Sequence, residues 1–173
     1  MATFDIVGSA MAVSSDGLTV SSPMLIGERA SSQIMIGGGS KNVVEFDITP
    51  DNTVTQYIYI GVIASAIDPD DINGDGVWDA GGTADDACLK LAAGGTAWFV
   101  NDGVSSPIST PPPMFDFPFT ITMYVDGDGA TAQIWWYLDG VALGSGDASA
   151  GTTPDLTIGT SGALYFYTCI DSV

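Results

Sequence analysis

A chain of 173 residues that is 46% hydrophobic, with 22 Gly and 9 Pro, has the composition of one loop-rich globular domain, long enough to bury roughly 70% of the surface its unfolded form exposes. Lys and Arg number 3 against 21 Asp and Glu, a net charge of −18, so nucleic acid and anionic membranes are poor partners: each phosphate would need a cation the chain lacks. With His at 0, Ser-His-Asp and Cys-His catalysis and imidazole-based zinc sites are excluded, and the Cys88 and Cys169 pair cannot make a four-cysteine site. The charge itself fits either solubility in a salty setting or the binding of cations. Met-Ala-Thr-Phe-Asp at the N-terminus has no basic region followed by an apolar core, which gives an expectation of cytoplasmic synthesis without a signal peptide. No apolar run reaches the roughly 18 residues that a spanning helix needs.

In chain order, residues 3–20 give two short extended runs around the turn Ser14-Ser15-Asp16-Gly17, and Pro23 interrupts the next run as on an edge strand. Ile34, Met35 and Ile36 form a compact apolar strand, and the glycines at 37–39 make a flexible turn; a phosphate cradle would want a Lys and a helix after them, and a strand follows. Val44, Phe46 and Ile48 alternate with Glu45 and Asp47 in a half-buried strand. Residues 53–66 are the longest strand candidate, continuously apolar over 60–64, which predicts burial on both faces there. Residues 68–86 are an acidic insertion, and 87–93 are expected to make one or two helical turns capped by Asp85 or Asp86. A strand at 96–100 leads to a Pro-rich loop at 105–113.

Residues 117–144 form the centre of the chain. Phe119, Ile121, Met123 and Val125 fall on one side of a strand, Asp126-Gly127-Asp128-Gly129 reverses the chain, and 131–138 return with the densest aromatic run, Trp135, Trp136 and Tyr137. Asp139-Gly140 is a second tight turn. A Gly/Ala/Ser loop at 145–154 and strands at 156–158 and 164–170 complete the chain. About a dozen short strands with regular turn signals and almost no amphipathic helix indicate an all-β, antiparallel β-sandwich.

The acidic insertion holds the most specific spacing. Asp71, Asn73, Asp75 and Asp79 place side-chain oxygens at alternate loop positions around Gly76, and Val77 offers a carbonyl, the oxygen set that Ca²⁺ takes. Position 12 is Gly82 rather than Glu, so Asp85 or Asp86 would have to supply the last carboxylate; the plainer alternative is a solvated Asp/Gly turn. An enzyme would rest on Glu45 and Asp47, but these share one face of one strand, as solvent-facing pairs do. Adjacent tryptophans point to opposite faces, so Trp135 and Trp136 cannot both enter one core by simple alternation. Trp98, Trp135, Trp136 and Tyr137 are therefore candidates either for core packing or for a platform that binds sugar rings or protein.

The run Ile-Trp-Trp-Tyr-Leu-Asp-Gly-Val-Ala-Leu-Gly at 134–144 resembles the late-strand signature of SPRY-type domains, with Asp139 where the family's turn carries Asn. Asp16-Gly17-Leu18-Thr19-Val20, Val43-Val44-Glu45-Phe46-Asp47-Ile48 and Tyr59-Ile60-Gly61-Val62 follow the family's order across most of the chain. The Glu45 strand lacks the aromatic residues usual before that Glu, and the acidic stretch after Val62 is an insertion. The resemblance implies a single SPRY-like domain over 1–173 with an acidic loop insertion at 67–86, folded as a concanavalin A-like jelly-roll. It also implies a non-catalytic binding module. Such domains without a signal peptide look like parts of bacteriophage virions, so the expected role is an outward-facing capsid decoration (cement) subunit or tail appendage at the virion surface. Capsid or tail proteins, and self-association, are the partners so implied. The alternative is a carbohydrate- or receptor-binding adhesin head that contacts a cell-surface glycan.

Overall fold

The computed structural model describes residues 6–7, 12–13, 20–21, 28–34, 41–49, 56–63, 86–92, 95–101, 104–108, 118–127, 130–159 and 164–172. All regular structure among them is strand: β1 (Ile6–Val7), β2 (Ala12–Val13), β3 (Val20–Ser21), β4 (Glu28–Ile34), β5 (Lys41–Ile48), β6 (Gln56–Ile63), β7 (Asp86–Ala92), β8 (Thr96–Asn101), β9 (Val104–Pro107), β10 (Phe119–Gly127), β11 (Thr131–Leu138), β12 (Val141–Ala142), β13 (Leu156–Gly159) and β14 (Leu164–Ser172). A seven-stranded antiparallel sheet runs β1-β4-β14-β6-β7-β8-β9, and a five-stranded one runs β12-β11-β10-β5 with β13 also on β11; β2 and β3 pair separately. The two larger sheets pack face to face as a β-sandwich.

Period-two alternation builds the layer between them. On β10, Phe119, Ile121, Met123 and Val125 point inward, and the register sets Val44, Met123 and Trp136 in one row and Phe46, Ile121 and Leu138 in the next. On the facing sheet, Ile58 lies opposite Leu91, Ile60 opposite Leu89 and Val62 opposite Ala87. Aromatic contacts join the sheets: Phe99 stacks on Trp136 with ring centroids 5.6 Å apart, and Phe46 meets Phe166 edge-on at 6.0 Å. The predicted burial on both faces within 53–66 is present on β6, where Tyr59 and Gly61 are buried on one side and Ile58, Ile60 and Val62 on the other. A Cβ at Gly61 would collide with the Ala87 carbonyl and Cys88, so the strand can pass β7 this closely only as glycine.

Two expectations are corrected. Of the residues 87–93 expected to be helical, 87–92 are strand, for β7 occupies Asp86–Ala92, because Ala87, Leu89 and Leu91 alternate with Cys88 and Lys90 at strand period between β6 and β8. The Pro-rich segment is not loop from its start: among the described residues β9 forms the far edge of the seven-stranded sheet, a position that tolerates Pro107. Cys88 and Cys169 sit on β7 and β14 with β6 between them, which sets them roughly 10 Å apart, beyond the roughly 7 Å that a disulfide spans. The turn at 14–17, Pro23, the glycine run at 37–39, Met35 and Ile36, the 68–85 part of the acidic insertion and the prolines at 111–113 lie outside the described residues.

Trp136 is 0% exposed at the meeting of the two layers. Trp136→Ala is expected to cost about 3–5 kcal/mol of unfolding free energy, read as a fall in the urea midpoint without a change in slope.

Candidate functional site

The described part of the chain that departs most from a plain sandwich is the segment joining β12 to β13. The Asp139-Gly140 turn, with φ of 46° and 80°, has both central residues left-handed, the geometry of a two-residue hairpin whose twist matches the flanking strands. That hairpin brings β12 onto β11 at Tyr137 and Leu138, while β13 pairs β11 at Thr131–Ile134, so neither strand reaches the outer edge of Trp136. The gap is closed by the ends of the connecting loop. Leu143 N–H donates to the Trp136 carbonyl at 2.9 Å, Asp155 N–H donates to the Ile134 carbonyl at 2.9 Å, and the Asp155 carboxylate accepts the Trp136 N–H at 2.8 Å. A Cβ at Gly144 would strike the Asp155 carboxylate, so glycine there is what lets the acid sit against the strand.

Between those anchors the loop folds over the outer face of the five-stranded sheet. Asp147 and Thr152 exchange backbone hydrogen bonds of 3.2 and 3.1 Å, and the Ser149 hydroxyl and N–H donate to Asp147 at 2.7 and 2.8 Å, holding its carboxyl below the usual carboxylate range. Gly146 has no room for a Cβ beside the Thr152 and Thr153 carbonyls. Trp135 lies beneath this loop, 1% exposed, and its indole N–H donates to the Thr152 carbonyl at 2.9 Å. Tyr137 receives the Ala148 N–H on its hydroxyl at 3.0 Å and meets Tyr124 edge-on at 5.2 Å. Lys41 crosses from β5 to donate to the Ala148 carbonyl, 3.9 Å from Asp126 and 5.9 Å from the Trp135 ring centre.

The four aromatic candidates do not converge. Trp136 is in the core, Trp135 and Tyr137 are on the opposite face under and beside the loop, and Trp98 is half-buried on the outer face of the other sheet. A sugar could stack on Trp135 only after the loop had lifted. Trp98 belongs instead to a ring cluster around Lys90, whose ammonium lies 4.1 Å from the Tyr57 ring centre, 5.3 Å from Tyr59 and 5.5 Å from Trp98. Neither lysine, nor Asp155 or Gly144, stands out by motif. The available signal was scarcity, since a chain with 3 cations places both of its lysines against aromatic rings.

Asp71, Asn73, Asp75, Val77 and Asp79 lie outside the described residues. Among the described residues no cluster of three or more His, Cys, Asp or Glu is placed to hold a metal. Glu45 and Asp47 both lie exposed on the outer face of β5, where Asp47 accepts the Thr120 hydroxyl at 2.7 Å. In comparison with known proteins, no family model matches the chain and no curated protein matches it.

Burial pushes the Asp155 carboxyl above its ordinary value, against the opposing pull of the Trp136 N–H. A raised carboxyl favours the folded state while protonated, so its contribution is complete below the unfolded Asp value and is lost as pH rises through the folded one. Asp155→Asn keeps an oxygen for Trp136 and removes the titration. The stability of the native chain relative to this variant is therefore expected to fall with rising pH through the acid range and to level off near neutrality, measured by urea unfolding at a series of pH values.

Proposed function

We propose that the chain is a SPRY-like, non-catalytic structural subunit of a bacteriophage virion, displayed on the particle as a capsid decoration (cement) subunit or tail appendage. The observation that carries this reading is the consolidated outer face of the five-stranded sheet. There the chain's own loop covers Trp135 and is fastened by Asp155, Tyr137 and Lys41, which suits a rigid surface subunit better than an open sugar cleft. The net charge of −18 agrees with a solvent-facing position away from nucleic acid. Its partners in this reading are capsid or tail proteins, met after synthesis in the host cytoplasm. The purified chain is expected to cosediment with phage heads or capsomers and to give no selective signal on a glycan array. Selective glycan binding that Trp98→Ala weakens, with no affinity for capsid, would replace this reading with the adhesin one.

The same reading includes one Ca²⁺ held by Asp71, Asn73, Asp75, Asp79 and the Val77 carbonyl, supported by the oxygen spacing around Gly76 and by the mutual repulsion of so many carboxylates without a cation. An ion that binds only the folded loop adds about 2.7 kcal/mol at a hundredfold excess over Kd. Thermal unfolding is expected to shift upward with millimolar Ca²⁺, to return with chelator, and to lose both responses in Asp75→Ala. A melting temperature indifferent to chelator means a solvated turn.

A further inference from the structure

We infer that the fold withholds from proteases of Lys and Arg specificity every bond they could cut in this chain, and that the bond after Lys90 becomes available only when the whole sandwich unfolds. Such an enzyme takes its substrate as an extended, unpaired stretch and draws the basic side chain at full length into an acidic pocket. Exposed loop tips meet that demand, and a strand held in a sheet does not. The chain has 3 basic residues, Arg29, Lys41 and Lys90, and each lies in a strand, on β4, β5 and β7 in turn. The loop that folds over Trp135 carries none.

Lys90 is the most firmly held of the three. It lies opposite Tyr59 on one side and Trp98 on the other, and Leu91, across the bond to be cut, lies opposite Ile58 and Ala97. Leu89 and Leu91 are 0% exposed between the sheets, so freeing this stretch takes apart the seven-stranded sheet and the core together. The ammonium lies among the rings of Tyr57, Tyr59 and Trp98 and would have to leave all three to enter a pocket. Beyond Arg29, Ala30 and Ser31 pair with Thr168 and Tyr167 of β14 and also with Val7 and Ile6 of β1. The residues that follow Lys41, through Ile48, pair with β10, and Val44, Phe46 and Ile48 among them pack on the core. The Lys41 ammonium is itself bound to the Ala148 carbonyl. Cutting at Arg29 or Lys41 therefore needs the strand to leave its sheet.

The inference stands apart from the virion reading, and failure to bind particles leaves it intact. The test is digestion of the full chain with trypsin across a urea series below the unfolding transition, with fragments assigned by mass spectrometry. Protease is kept at concentrations where the rate is proportional to it, and each rate is divided by that of an unfolded peptide spanning the same site. Without urea, cutting at each of the three sites is expected to be at least about a thousandfold slower than in the peptide. Cutting after Lys90 is expected to rise with urea at the slope of equilibrium unfolding. Val43→Lys puts a basic side chain where Val43 is 53% exposed yet paired with Tyr124, so it separates strand pairing from burial of the side chain. With folding checked by circular dichroism, this variant is expected to be as resistant after position 43 as the native chain is after Lys41. Rapid cutting at any of the three sites without urea overturns the proposal. So does a urea slope at Lys90 well below the equilibrium one, or rapid cutting after position 43 in the folded variant.

Discussion

The arrangement of the five-stranded sheet depends on one hydrogen bond, from the Trp136 N–H to the Asp155 carboxylate. A strand bordered by two short partners that do not meet leaves backbone groups at the gap, and a buried N–H without an acceptor costs on the order of 1–3 kcal/mol. Here the acid that fills the gap is also the residue from which β13 starts, and its own N–H bonds Ile134. A single residue thus sets the register of β13, closes the edge of β11 and fixes one end of the loop. The requirement for glycine at 144 follows from the same contact.

With its ends fixed, the loop is short enough to lie over Trp135 and long enough to turn back on itself between Asp147 and Thr152. The sandwich therefore buries aromatic side chains on three levels: Trp136 between the sheets, Trp135 beneath the loop, and Tyr59 on the far side of the seven-stranded sheet. Tryptophan is suited to such a position, because the Trp135 ring packs while its N–H finds the Thr152 carbonyl. The two lysines serve the same layers from outside. Lys41 ties β5 to the loop, and Lys90 lies against rings from β6 and β8. Lys41 thereby joins β5 to a loop that no backbone ladder connects to it, whereas the rings around Lys90 belong to the two strands that already flank β7.

Much of this was legible beforehand, because a strand's two faces are written at a spacing of two residues. Phe119, Ile121, Met123 and Val125 could be assigned to the core from their alternation alone, and the Asp139-Gly140 turn from the residue types that accept a left-handed backbone. The opposed directions of Trp135 and Trp136 followed from the same rule. It failed at 87–93, where a stretch rich in Ala and Leu has good helix propensity and only the neighbouring strands on both sides decide for the extended form.

What covers Trp135 was decided by tertiary structure. Alternation says that its ring leaves the core layer, and nothing local says whether solvent, a partner or the chain itself receives it. That choice belongs to Asp155 and Lys41, which lie far from Trp136 and Ala148 along the chain or act through a loop of low propensity. The sequence by itself determined the class of fold and, for β5, β6, β10 and β11, the strand positions and facing, since these depend on neighbours two residues apart. The order of strands in each sheet, the gap at Trp136 and the loop that seals the outer face depend on contacts between distant residues, whose energies are set only once the sheets have come together.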